Sequence, residues 1–313
     1  MIEQVSINYN TKVLKKTLFI AYIFLIPFVS FSQMRPLSWN HFKNEVYFGS
    51  GATNYLGDLG GGIHSGKHFL GDININGTHA VFSGGGKTKI SEFLTLRLDL
   101  AYGYSSGADS LTKNDGRKSR NLSFRTTFVN LSPLVEYYIL PERFNKRSSP
   151  FAAYVASGIT FMYFNPQAKY DGAWYNLQEL GTEGQLIEEG SSSYSKFTVG
   201  IPLVLGFKVR LPGGRGGKKG SISVGFEATS IWLMTDYFDD VSTVYANTED
   251  IRKTSGDIGV KLADKRLVGA GSEGEIRGNP KDKDWIGFLQ LTVAKKLYNK
   301  PKRKNNKRTR SSF

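Results

Sequence analysis

From Phe197 to Leu211 every second residue is large and apolar: Phe197, Val199, Ile201, Leu203, Leu205, Phe207, Val209 and Leu211. The residues between them, Lys196, Thr198, Gly200, Pro202, Gly206, Lys208 and Arg210, are polar or small, with Val204 the exception. A period of two puts the two sets on opposite faces of a β-strand and does not suit a helix. Leu94 to Tyr104 repeats the pattern. Leu94, Leu96, Leu98, Leu100, Tyr102 and Tyr104 share one face; Thr95, Arg97, Asp99, Ala101 and Gly103 share the other. Both runs exceed the roughly 9–11 residues that a tilted strand needs to cross a bilayer.

Weaker alternation marks Phe151 to Tyr163, Ile222 to Met234 and Trp285 to Lys296. Val46 to Tyr55 and Thr78 to Thr88 are short or Gly-rich. Leu122 to Leu140 is long enough to cross, but its phase changes. Phe124 and Phe128 have one parity; Leu131, Val135, Tyr137 and Ile139 have the other. A bulge near Ser132-Pro133 is the expected cause. The sum is about eight strands, with ten left open. Connections alternate between short (Ile90 to Phe93, Pro141 to Pro150, Pro212 to Gly220) and long and polar (Ser106 to Asn121, Asn165 to Tyr194, Asp236 to Asp284). That is the layout of an all-β, antiparallel up-and-down transmembrane β-barrel.

The rival is a soluble all-β sandwich or lipocalin-like barrel, apolar on its inner face. The polar faces favour the membrane barrel. Arg97, Asp99, Glu136, Lys208, Arg210 and Glu227 are of mixed sign and sit among Gly, Ala, Ser and Thr. A narrow lumen needs small side chains for volume and paired charges for electroneutrality. The six are expected to form a lumen charge network. Tyr102, Tyr104, Tyr163, Trp232 and Tyr298 fall near strand ends, where aromatic girdles belong. Mean hydropathy is −0.30, as expected when every second strand residue faces a polar interior.

Lys12, Lys15 and Lys16 precede an apolar run, Thr17 to Val29, and then Ser30-Phe31-Ser32. This is the layout of a secretory signal, with the mature chain starting near Gln33. The run is too short for a spanning helix. The expected organisation is a signal peptide over 1–32, an outer-membrane barrel over 33–299 and a basic tail over 300–313. An even strand number puts both ends in the periplasm. The formal net charge is +14, with much of the excess at the C-terminus. Such a tail suits an acidic protein face or acidic headgroups, or is simply solvated. No aromatic RNA-binding motif accompanies it, so no nucleic acid partner is expected.

The chain has no cysteine, which removes thiol nucleophiles, disulfides and thiolate metal sites. Gly84-Gly85-Gly86-Lys87-Thr88 resembles a phosphate-binding loop, but Val81 stands where the motif needs glycine, and a Gly-rich strand or bulge is the better reading. His64 and His68 lie in a Gly-rich stretch that is no helix, and His41 and His79 have no evident partner. Asp236, Asp239 and Asp240 lack the Gly-centred loop of a calcium site and read as a solvated loop. No catalytic constellation, cofactor, metal or small-molecule substrate is expected, so the chain is read as non-enzymatic.

Three stretches, with Phe93 to Arg97, carry a family resemblance. One, from Ser50 to Leu59, holds Asn54, Tyr55, Gly57 and Asp58. Another, from Thr235 to Tyr245, holds Asp236, Tyr237, Asp239 and Asp240. The last, from Arg277 to Trp285, holds Arg277, Gly278, Asn279, Pro280 and Trp285. Together they resemble the PorG-type outer-membrane barrels of the type IX secretion system. The chain departs in a Gly-rich first loop and in the basic extension beyond Tyr298. The resemblance implies a component in outer-membrane lipid that associates with a periplasmic ring made of a lipoprotein and its partner, supporting cargo export and gliding motility. Arg215, Lys218, Lys219 and the C-terminal tail are candidates for an acidic face of that ring. Other readings are a passive small-solute channel and an adhesin-like barrel that binds through its long loops.

Overall fold

A computed structural model describes residues 44–57, 59, 77–112, 115–141, 150–188, 191–212, 222–266, 269, 271–280 and 282–297. The expected signal peptide and basic tail, His41, Asp58, His64, His68 and Tyr298 lie outside them.

Ten strands form one sheet: β1 Asn44–Leu56, β2 His79–Lys89, β3 Leu94–Ala108, β4 Ser123–Leu140, β5 Phe151–Gly158, β6 Thr160–Tyr170, β7 Ala173–Asn176, β8 Phe197–Arg210, β9 Ile222–Leu233 and β10 Trp285–Leu297. All pairings are antiparallel. β5 and β6 are one wall strand. Against β4 the register runs unbroken from Leu134↔Gly158 to Leu131↔Phe161, and against β8 from Ser157↔Leu203 to Thr160↔Gly200. The Ile159 amide bridges the join by donating to the Pro133 carbonyl at 3.3 Å. The short β7 extends β6 as a hairpin above the wall. The wall therefore has eight strands, and β1 pairs with β10 to close it.

The alternation resolves as apolar outside and polar inside. Leu98, Leu205 and Leu291 are exposed by 52%, 54% and 66%, while Arg97, Glu136 and Glu227 are buried. A soluble domain does not present so much apolar wall to water; hydrocarbon is the solvent that matches it. In β4 the expected bulge at Ser132-Pro133 is absent. Its residues alternate from Ser123 to Tyr138, and the register shifts only between Tyr138 and Leu140. The apparent change of phase arises because Phe124 and Phe128 face inward, into an apolar upper lumen. Val204 is no exception either: it points inward and packs on Leu134 and Ala156.

The short connections, the start of β1 and the end of β10 share one end of the barrel; the long connections share the other, here called the mouth. At the mouth stand helices α1 Asp115–Arg120, α2 Leu177–Leu180 and α3 Thr248–Ala263. The Asn247 side chain caps α3 by accepting from the Glu249 amide at 2.9 Å, and α3 kinks at Gly256, whose φ is +68°.

The closing seam is tightest at Gly51, where an added Cβ would lie 1.9 Å from the Leu289 carbonyl oxygen and 2.6 Å from the Gln290 Cα. Both obstacles are backbone and cannot swing away. Gly51→Ala is expected to cost about 1–3 kcal/mol by overpacking, read as a lower urea midpoint in detergent. Gly86→Ala, with nothing within 4 Å of its Cβ, serves as the control, and equal midpoints for the two variants would refute the steric account.

Candidate functional site

Two buried networks fill the barrel. The lower one occupies the lumen. Arg97 of β3 lies 3.3 Å from Glu136 of β4 and 2.9 Å from Glu227 of β9. Lys87 of β2 lies 2.7 Å from Glu136 and 3.6 Å from Glu227. Two cations and two carboxylates thus meet inside the wall, with a third carboxylate, Asp99, at the edge of the group. Tyrosines complete their hydrogen bonds: Tyr154 donates to Glu227, Tyr138 donates to Glu136 at 3.1 Å, and Tyr47 donates to Asp99. Arg97 in turn donates to the Tyr47 hydroxyl at 2.8 Å and lies 3.5 Å from Asp99. Toward the short-turn end, Lys208 of β8 pairs with Glu45 of β1 at 3.1 Å.

Of the six lumen residues expected from sequence, Arg97, Asp99, Glu136 and Glu227 meet in this network. Lys208 belongs to the separate pair with Glu45, and Arg210 ends β8 in a half-buried position. Sequence reasoning missed Lys87, Glu45 and the three tyrosines. Lys87 ends the string that resembles a phosphate loop; here Gly84, Gly85 and Gly86 are ordinary strand residues of β2, and the lysine faces the lumen. Its signal was present, since Lys87 has the same parity as the inward Val81 and Ser83.

The upper network locks the mouth. Phe238, from the connection between β9 and β10, is fully buried. Its ring lies 5.8 Å from Tyr55, 5.7 Å from Phe164 and 6.2 Å from Phe128. The acidic run around it is not a solvated loop, because Asp236, Asp239 and Asp240 are all buried. Asp239 accepts from the Tyr55 hydroxyl at 2.7 Å and from the Val241 amide at 2.9 Å. Asp236 accepts from the Ser242 hydroxyl at 2.7 Å. Asp240 accepts from the Thr182 hydroxyl and, at 2.6 Å, from the Tyr194 hydroxyl. Each carboxylate has its own donors, and among the described residues no acidic or histidine cluster has the arrangement of a metal site.

Arg277 ties three connections together. It reaches Glu183 at 2.9 Å, lies 3.7 Å from Asp240, and donates to the backbone carbonyls of Asp240 and Ala263. Glu183 accepts from the amides of Ser242 and Thr243 at 2.9 and 3.1 Å. Asp284 shares the single Tyr55 hydroxyl hydrogen with Asp239 and accepts from the Phe238 amide at 2.9 Å. Arg120 clamps Asp109 at 2.7 Å and donates to the Arg277 carbonyl.

The residues that carry the family resemblance therefore largely converge. Tyr55, Asp239, Asp240 and Arg277 form the lock. Asp236 braces its loop, Tyr237 stacks on Tyr194 at 4.5 Å, and two glycines leave room. A Cβ on Gly57 would strike the Tyr55 hydroxyl, and one on Gly278 the Ser242 backbone. Asn54, Asn279 and Pro280 stay outside it. Asn54 donates to Thr78 at 3.2 Å, Asn279 donates to Asp282 at 2.7 Å, and Pro280 is exposed. Trp285 stacks on Trp232 at 6.3 Å. Glu183, Asp284, Tyr194, Asp109 and Arg120 were not anticipated. His79 does have partners, the Tyr104 ring at 4.4 Å and the Ser106 hydroxyl at 2.6 Å.

Burial pushes the Asp240 carboxyl up to about 6, against the pull of Arg277 and the hydroxyls of Thr182 and Tyr194. Between the ordinary value of 3.8 and about 6 the folded mouth holds this proton more tightly than an unfolded one. Its contribution is thus largest below about pH 4 and falls as pH rises to about 6, by on the order of 3 kcal/mol. Melting of the mouth followed by near-ultraviolet circular dichroism from pH 4 to 7 should show a steeper decline for the wild type than for Asp240→Asn. Parallel profiles would contradict this assignment.

No family model and no curated protein matches the sequence. Several solved structures are similar to this chain at low identity. Neisserial surface protein A matches at 9% identity over 81% of this chain and 97% of that one, with a TM-score of 0.36. Ail of Yersinia pestis, described as its attachment invasion locus protein, matches at 7% over 82% and 99%, with a TM-score of 0.34. Outer membrane protein OprG from Pseudomonas aeruginosa matches at 10% over 82% and 97%, with a TM-score of 0.33.

Proposed function

We propose that this chain is a non-enzymatic outer-membrane barrel that serves as a docking component of the type IX secretion machinery. The observation that carries the reading is the filled lumen. Buried ion pairs occupy its lower half, and Phe238 with the Arg277 lock stops its mouth. Such a barrel works by what it presents at its ends. The short-turn end would face the periplasm, as in up-and-down barrels generally. The connection between β8 and β9 carries Arg215, Lys218 and Lys219, and β10 leads toward the basic tail. These cations suit an acidic face of a periplasmic ring protein.

The test is affinity purification of the chain from native membranes, with a deletion strain beside it. Recovery of a periplasmic lipoprotein and its partner, with loss of cargo secretion and gliding in the deletion strain, is the expected result. Normal secretion without the chain would sink the reading. The channel alternative predicts conductance in planar bilayers, and the filled lumen speaks against it. The adhesin alternative predicts binding that is lost when the mouth connections are trimmed from an intact barrel.

A further inference from the structure

Three cations stand together on the outward rim of the mouth without a carboxylate. Arg125 of β4 has the outward parity of Val129 and Leu131. It is the register partner of Gln167 on β6 and donates to that side chain at 3.0 Å. Its guanidinium carbon lies over the Trp174 ring of β7, 3.9 Å from the centroid. Lys169 is the register partner of Trp174 and is exposed. The Lys265 ammonium sits 3.3 Å from the Lys169 carbonyl oxygen and 3.4 Å from the Ser123 hydroxyl. Burial, with no acid beside it, pushes that ammonium below its ordinary value. Elsewhere at the mouth, Arg120, Lys196, Arg266 and Arg277 each have an acidic partner. Among the described residues, Arg125, Lys169 and Lys265 have none.

The height of this cluster identifies its ligand. Across the β3–β4 ladder Tyr104 lies beside Thr127 and Ser106 beside Arg125. Arg125 therefore stands one outward position, about 7 Å, beyond the exposed Tyr104, and two beyond Tyr102 and Tyr163. Tyrosine marks the edge of the hydrocarbon, so the next few ångströms are the headgroup layer. With Nε buried and one Nη donating to Gln167, the Arg125 guanidinium keeps its other Nη for a phosphate, and two ammonium groups add charge beside it.

We propose that Arg125, Lys169 and Lys265 form a binding site for the phosphorylated headgroup of a membrane lipid in the leaflet at the mouth. The lipid's acyl chains run down the outward residues Tyr104, Val129, Leu131 and Tyr163. The site rests on the membrane reading and is independent of the secretion role.

The test uses the full chain in nanodiscs containing bis-phosphorylated lipid A or the same lipid with its phosphates removed. Retention is read by native mass spectrometry. At least tenfold greater retention of the phosphorylated lipid is expected, reduced about tenfold in R125Q/K169Q/K265Q, with millimolar inorganic phosphate failing to displace it. Equal retention of the two lipids by the wild type would overturn the site, whether or not the triple variant folds. So would unchanged retention by a folded triple variant, checked by heat-shifted gel mobility. Displacement by inorganic phosphate alone would show a simple anion site and overturn the lipid assignment. Failure to insert into either membrane would overturn this proposal and the membrane reading together.

Discussion

Arg277→Ala is expected to release the mouth while leaving the wall intact. The substitution strands the Glu183 and Asp240 carboxylates, both buried, and two backbone carbonyls that Arg277 now satisfies. Removing one partner of a buried ion pair costs about 3–5 kcal/mol, because the remaining charge stays desolvated. The loss falls on docking of the β9–β10 connection, which holds none of the wall pairings. Limited proteolysis should therefore cut between residues 234 and 284 in the variant at enzyme levels the wild type resists. The heat-shifted mobility of a folded barrel should persist. Arg266→Ala is the control, since its partner Glu275 is exposed and ion pairs open to water contribute little. If Arg277→Ala is as resistant as wild type, the lock is not what holds the connection down.

The second large effect is expected at Arg97. Arg97→Met leaves Glu136 and Glu227 facing Lys87 alone and removes the cation beside Asp99 as well, so the buried negative charge is in excess. The expected cost is again about 3–5 kcal/mol, now on the wall itself. Because the defect is charge imbalance, Arg97→Met with Glu227→Gln should recover part of it. The double variant restores one cation to one carboxylate, and the glutamine can still accept from Tyr154. Urea titrations of the two single variants and the double variant in lipid vesicles should give a coupling energy of about 2 kcal/mol or more. Additive costs would show that the four charges do not act as a unit.

The wall was legible because a membrane barrel writes its two solvents into alternate residues. Six of the eight wall strands lie where the period of two places them, while the two at the start, short or Gly-rich, show that period only weakly. The misreadings share a physical cause. Phe124 and Phe128 look outward by polarity, yet they face in, because a folded-back connection brings Phe238 into the lumen. Asp236, Asp239 and Asp240 look solvated because their partners are far along the chain. Tyr55 is 184 residues from Asp239, and Thr182 is 58 from Asp240. Local pattern reports which face a residue occupies, but not whether a loop 100 residues away will cover it. Lys87 fell between these cases. Its parity was readable, but the three glycines before it interrupt the alternation that would have marked it as inward.

The seam between β1 and β10 has a kinetic consequence. Thirteen consecutive residues from 44 to 56 pair with 297 down to 285, so the last ladder to form joins segments some 240 residues apart. Every other wall ladder joins strands that follow one another along the chain. Pairing across such a separation is slow, because the search must close nearly the whole chain before it gains a hydrogen bond. Until then β1 and β10 each carry an open edge of unpaired amides and carbonyls, the kind of edge on which other chains assemble. An intermediate with seven ladders made and one missing is thus the species most exposed to aggregation. A chaperone that shields those two edges would do more for the yield of this barrel than one that shields any other strand.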